Sequence, residues 1–183
     1  MSDKRIAVVY KSKYGSSEQY ANWIAAEVGA DLFSMSELKL NLFDEYDIFV
    51  FGGGLYADKI NGIEVIKKNF FRLEEKKVFV FAVGLTDSKP EVISKLKNKN
   101  FNQTMKQNVE LHILPGKFDY NQLTLWDKLM MRAFTFMLNR KNSYNLSPEE
   151  KRIKESLEKP IDQMDKKAIK SLVNKINEFK AKE

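Results

Sequence analysis

Residues 5–20 read Arg-Ile-Ala-Val-Val-Tyr-Lys-Ser-Lys-Tyr-Gly-Ser-Ser-Glu-Gln-Tyr. Ile6 to Tyr10 is a short apolar run rich in β-branched residues, the pattern of a central parallel strand covered on both faces. Ser12, Ser16 and Ser17 then bracket Gly15, so hydroxyls and free N–H groups converge where a helix begins. The first N–H groups of a helix lack intrahelical partners and sit at its positive end, which makes such a turn an anion site. A serine that merely caps the helix gives the same local pattern. No G-x-G-x-x-G follows the strand, and no G-x-x-x-x-G-K-[ST] occurs in the chain, so the dinucleotide-fold and P-loop readings lack their required residues. A phosphate held by hydroxyls and amides, without a magnesium-binding loop, points to a bound cofactor rather than to a transferred group.

Outward from this turn, strand and helix patterns alternate. Tyr20, Ile24 and Val28 recur on one helical face before Gly29. A second strand is expected over 30–35 and a third over 47–51, the latter running into Gly52, Gly53, Gly54, Leu55 and Tyr56. Ile63, Ile66, Phe70 and Leu73 mark a further helix, and the Val/Phe-rich fourth strand, 77–83, breaks at Gly84. Pro90 opens another helix, 109–114 forms the fifth strand, and Ile169, Leu172, Val173, Ile176 and Phe179 stripe a last one. Strands alternating with helices predict an α/β three-layer sandwich with a five-stranded parallel sheet in the order 2-1-3-4-5. In that order ligands lie at the carboxyl ends of strands 1 and 3, which are here the Ser12–Ser17 turn and the glycine run.

A length of 183 residues suits one domain with a sizeable core, so 1–183 is expected to be a single unit. Cysteine is absent, which removes thiol catalysis, disulfides and cysteine-bound metal and fits a reducing, cytoplasmic setting. The net charge of +6 is concentrated late: residues 1–120 hold 17 Lys and Arg against 16 Asp and Glu, and residues 121–183 hold 14 against 9. Those late lysines alternate with acids at helical spacing, the pattern of a solvated helix face. No nucleic-acid motif accompanies them, so nucleic acid is not an expected partner.

With an anion turn after strand 1, Gly53-Gly54-Leu55-Tyr56 after strand 3 and Gly84-Leu85-Thr86-Asp87 after strand 4, the chain resembles the flavodoxin family. The resemblance implies an FMN cofactor. Ser12, Lys13, Tyr14, Gly15, Ser16 and Ser17 match the family's phosphate loop, Gly53, Gly54, Leu55 and Tyr56 its first ring-flanking loop, and Gly84, Leu85, Thr86 and Asp87 fall where the second lies. Small residues in such loops admit the ring, an aromatic stacks on it, and backbone groups near its nitrogens tune its potential.

An extra segment, about 118–160, separates strand 5 from the last helix, and Ser147-Pro148-Glu149-Glu150 starts a helix within it. Earlier in it, residues 123–138 place Thr124, Lys128, Arg132 and Thr135, with Asn139, on one narrow polar stripe, the remaining circumference being largely apolar. Such a helix packs as an ordinary helix on its own domain or on a twin subunit, docks between two surfaces, binds a partner, or lies in a membrane interface. Its Trp-Asp-Lys-Leu-Met-Met-Arg run is similar to that of the flavodoxin-like, menaquinone-dependent protoporphyrinogen oxidases. That resemblance implies dehydrogenation of protoporphyrinogen, electrons passed to a quinone, and peripheral membrane contact through 123–141. An electron carrier between redox proteins and a flavin-free interaction module are the competing functions. His112, the single histidine, lies mid-strand and is expected to be structural.

Overall fold

A computed structural model describes residues 4–141 and 146–181. Its framework is a parallel sheet of β1 (Ile6–Lys11), β2 (Asp31–Ser34), β3 (Ile48–Tyr56), β5 (Lys77–Gly84) and β6 (Val109–Pro115), ordered β2-β1-β3-β5-β6. This is the architecture and strand order expected from the sequence. A two-residue strand, β4 (Lys59–Ile60), pairs antiparallel with the end of β3.

The alternation of side chains along each strand divides the core in two. Ile6, Val8, Ile48, Val50, Phe79 and Phe81 point to the face covered by α1 (Ser16–Val28) and α8 (Lys170–Ala181). Ala7, Val9, Phe49, Phe51, Val78 and Val80 point to the other, covered by α3 (Ile63–Lys68), α4 (Pro90–Asn100) and α5 (Gln103–Asn108). A short α2 (Leu42–Glu45) adds buried Phe43 to that second layer. The stripe read for the last helix is what α8 and the 3₁₀ turn before it bury: Ile169, Leu172 and Ile176 are at most 3% exposed. Each contributes roughly 1.5–3 kcal/mol by leaving water.

The third strand differs from the sequence expectation. The third strand does not stop at Phe51 but continues through the glycines to Tyr56, because β4 turns back and pairs Leu55 with Ile60 and Tyr56 with Lys59. Ala57 and Asp58 close that hairpin in the left-handed region, at φ 48° and 65°, which the right-handed twist of paired strands favours in a two-residue turn. Asn100 explains how such a short hairpin holds: its buried amide accepts from the Ile60 N–H at 2.9 Å and donates to the Asp58 carbonyl at 2.7 Å.

The segment after β6 is clasped at its base by β7 (Lys117–Phe118) and β8 (Ile161–Asp162), an antiparallel pair with no hydrophobic run long enough to announce it. Between them lie α6 (Leu125–Asn139) and α7 (Pro148–Glu158). Thr124 caps α6 and Ser147 caps α7, the latter as a complete capping box with Glu150. The packed side of α6 is a single row, with Met131, Phe134 and Thr135 half-buried and Leu138 fully buried. Leu125, Trp126, Leu129, Met130, Phe136 and Met137 are each more than half exposed. Among the described residues, no helix is long and apolar enough to cross a membrane.

Candidate functional site

The sheet register brings three turns to one edge. Lys11 at the end of β1 pairs with Gly53, and Gly54 in β3 pairs with Val83, one residue before the end of β5. The Ser12–Ser17 turn, the Gly54–Tyr56 strand end and the Gly84–Asp87 turn therefore lie side by side where the winding of the sheet reverses. Leu55 closes the seam: a Cβ placed on Gly84 would stand 3.1 Å from the Leu55 Cβ.

At the first turn, neither Ser16 nor Ser17 caps α1. The N-cap residue is Gly15, in the left-handed conformation at φ 85°, and among the described residues no side-chain cap bonds the helix start. The Ser12 Oγ instead accepts the Gly15 N–H at 3.0 Å, fixing the turn. Ser17 is buried and Ser16 half-buried, and a Cβ on Gly15 would meet nothing within 4 Å. The turn thus offers an uncapped helix N-terminus, hydroxyls beside it and open space, a donor set suited to a phosphate.

Gly53 and Gly54 stand in different surroundings. A Cβ on Gly53 would stand 2.2 Å from the Asn61 carbonyl oxygen, so this glycine is required by the β3–β4 hairpin packing on it. Gly54 is the more open position, and the Tyr56 ring leans over it, 2.9 Å from where its Cβ would be. Tyr56 is 43% exposed. Its phenol pKa is raised, first by burial and then by Tyr14 and Asp127, with Lys13 opposing, so these four groups from three segments share one field.

Asp127 in α6 is the residue that sequence reasoning missed. Its Oδ2 pairs with the Lys13 ammonium at 2.5 Å and also accepts the Tyr14 hydroxyl. Local spacing marks Asp127 only as an acid in the first turn of a helix; its contact with the Ser12–Ser17 turn is set by the fold.

At the third turn, Gly84, Leu85, Thr86 and Asp87 are all half-buried. Asp87 faces the insertion: its Oδ1 accepts from Arg152 Nη2 of α7 at 2.7 Å, and Lys89 stands 3.9 Å from its other oxygen. A cavity of about 230 Å³ opens there, lined by Thr86, Asp87, Ser88, Ile113, Arg152 and Gln163. It lies on the insertion side of the turn rather than over the Ser12–Ser17 turn. His112 is on edge strand β6 beside Glu110, 3.3 Å away, and is not brought to these turns.

A doubly wound α/β sheet with an uncapped helix N-terminus at its switch point is the architecture of a class of ligand-binding proteins. Within that class, the chain belongs to the flavodoxin domain family, whose model matches residues 7–145. A relative described as an uncharacterized protein of Methanocaldococcus jannaschii is 29% identical over 106 residues, 51% of this chain and 67% of that one. Among solved structures, a flavodoxin from the domain Archaea is 18% identical, with a TM-score of 0.41 over 60% of this chain and 84% of its own. Oxidised flavodoxin 2 of Bacillus cereus is 19% identical, with a TM-score of 0.41 over 61% and 85%.

Proposed function

We propose that the protein is an FMN-binding oxidoreductase. The observation that carries this reading is the adjacency of the uncapped Ser12–Ser17 turn and the Gly54–Tyr56 strand end at the reversal point of the sheet. In it the N–H groups of Ser16 and Ser17 and the hydroxyls of Ser12 and Ser16 hold the phosphate. Gly54, Leu55, Tyr56 and the Gly84–Asp87 turn flank the ring. When bound, FMN supplies electron and hydride transfer. The chain contributes the positions of the donors, the Tyr56 face, and the exclusion of water by Leu55 and the β3–β4 hairpin.

The finer reading is oxidation of protoporphyrinogen with electrons passed to a quinone. It is supported by the 123–138 resemblance and by the place of α6, whose first turn is tied to the phosphate turn while its Trp126, Leu129 and Met130 face outward. Arg132, Arg140 and Lys141 are exposed on or just beyond the same helix, so an apolar surface with cations beside it lies against an anionic bilayer from which a quinone is reached. The rival reading is a carrier that exchanges electrons with protein partners.

Two measurements separate these. The purified protein should be yellow, or become so on titration with FMN; a protein that remains colourless with FMN in excess is an interaction module without flavin. Anaerobic addition of protoporphyrinogen should bleach the flavin and a quinone should restore it. Bleaching by a reductase protein but not by protoporphyrinogen would establish the carrier.

A further inference from the structure

Lys13 is the single cation in the Ser12–Ser17 turn, and its ammonium is held by the Asp127 carboxylate at 2.5 Å. The oxygen that pairs with Lys13 also accepts the Tyr14 hydroxyl, so both residues between Ser12 and Gly15 are engaged by one internal anion. The pairing shifts both groups toward their charged forms: the Asp127 hydrogen bond is the largest cause of the raised Lys13 pKa, and the Lys13 bond the largest cause of the lowered Asp127 pKa.

The same contacts fasten the first turn of α6. Thr124 N–H reaches the Tyr14 hydroxyl at 3.4 Å, and Asp127 makes the two bonds just described. Thr124 Oγ1, which accepts the Asp127 N–H at 3.2 Å, and Lys128, which donates to the Asn121 carbonyl at 3.1 Å, brace this turn only to its own segment. Leu125, Trp126 and Leu129 beside it are exposed, Leu125 at 87%. The hold of α6 on the phosphate turn is therefore polar and centred on Asp127.

We propose that Asp127 competes with the cofactor phosphate for Lys13, so that a phosphate in the Ser12–Ser17 turn releases the first turn of α6. This deepens the FMN reading and rests on it. A phosphate carries up to about two negative charges and a carboxylate one, so phosphate attracts the ammonium more strongly. It also repels the carboxylate that holds the helix, and both effects favour release. A flavin without the phosphate exerts neither. The device thus couples loading of the turn to the freedom of the exposed apolar end of α6, and it lowers affinity selectively for the phosphorylated ligand.

The test uses Asp127→Asn, which keeps size and polarity but removes the charge. Binding of FMN and of riboflavin to wild type and variant is measured by flavin fluorescence at low and high ionic strength. The variant should bind FMN several-fold and up to roughly tenfold more tightly, with riboflavin affinity changed less than about twofold and the gain shrinking in high salt. A parallel measurement needs no flavin: trypsin cleavage at Lys128 and Arg132 in wild type should quicken with inorganic phosphate relative to chloride at equal ionic strength. In Asp127→Asn cleavage should be fast in either salt.

Equal weakening of FMN and riboflavin in the variant would make Asp127 a structural brace and overturn the proposal. Unchanged FMN affinity, or cleavage indifferent to phosphate in wild type, would also overturn it. If neither protein binds either flavin, the FMN reading falls, and the cleavage comparison alone decides whether the turn's anion site and α6 are coupled.

Discussion

The Tyr20 hydroxyl of α1 donates to the Pro115 carbonyl at the end of β6, 2.8 Å away, and accepts the Asp165 N–H at 3.1 Å. One phenol thus joins the helix that follows the Ser12–Ser17 turn to both ends of the inserted segment. Tyr20 is fully buried, and its ring meets Trp23 edge-on with centroids 5.3 Å apart. Tyr20→Phe keeps that ring packing and strands two polar backbone groups, so unfolding in urea should show a loss of about 1–3 kcal/mol. Burial raises the Tyr20 pKa above its ordinary value of 10.0, so the folded chain holds this proton more tightly than the unfolded one. The stabilisation is complete below pH 10 and declines as pH rises toward the folded value. Wild type should lose stability more steeply than Tyr20→Phe above pH 10, and equal slopes would refute the assignment.

Gly53→Ala drives a methyl group into the Asn61 carbonyl, 2.2 Å from its ideal position. Backbone cannot rotate aside as a side chain does, so the β3–β4 hairpin must shift, at a cost of about 1–3 kcal/mol. Thermal unfolding should show a clearly lowered midpoint, together with weakened FMN binding because Tyr56 sits on that hairpin. An unshifted midpoint would mean that the hairpin yields freely.

Ser12→Ala removes the acceptor that fixes the Gly15 N–H and one hydroxyl from the proposed phosphate site. FMN affinity should fall by roughly tenfold, the value of about one hydrogen bond, with a smaller change for riboflavin. Fluorescence titration of both ligands checks this; equal losses would place Ser12 outside the phosphate contacts.

Leu129 and Met130 are exposed on α6, at 57% and 55%, so Leu129→Glu with Met130→Glu should leave the fold and FMN affinity unchanged. Sedimentation with anionic vesicles, and quinone-coupled oxidation of protoporphyrinogen in their presence, should both drop severalfold. Retention of both by the double variant would remove this face from the mechanism.

His112 is the single histidine, so its ring protons give one titrating set of NMR signals. Burial, the largest influence, lowers its pKa below 6.5, while Glu110 pulls the other way and Lys175 adds to the lowering. A neutral imidazole in the folded state contributes stability that is present above pH 6.5 and lost as pH falls through the folded value. The NMR midpoint should lie below 6.5; a midpoint at or above it would mean that Glu110 dominates.

The competition assigned to Asp127 gives the FMN reading a second line of testing, because it predicts different behaviour for two ligands that share a ring and differ in a phosphate. It also rests on a direct tie between the insertion and the Ser12–Ser17 turn. Lys13, Tyr14 and Tyr56 come from the flavodoxin-like turns and Asp127 from the inserted helix, yet their charges are interdependent.

What the sequence determined by itself was the framework. Ile6–Tyr10, the run after Asp47 and the Val/Phe strand after Lys77 are short, apolar and rich in β-branched or aromatic residues, and that local pattern suffices to place buried parallel strands. Glycine and proline punctuation between helical stripes marked the alternation, from which the doubly wound strand order was expected. The tertiary structure alone decided that Gly53 serves the Asn61 backbone, that Asp87 faces Arg152, that α6 buries only the row ending at Leu138, and that Asp127 reaches Lys13. Periodicity reports the environment of a residue averaged along its own element. A close backbone approach or an ion pair between distant segments depends on how elements are stacked, and leaves no repeat in the chain for such a pattern to register.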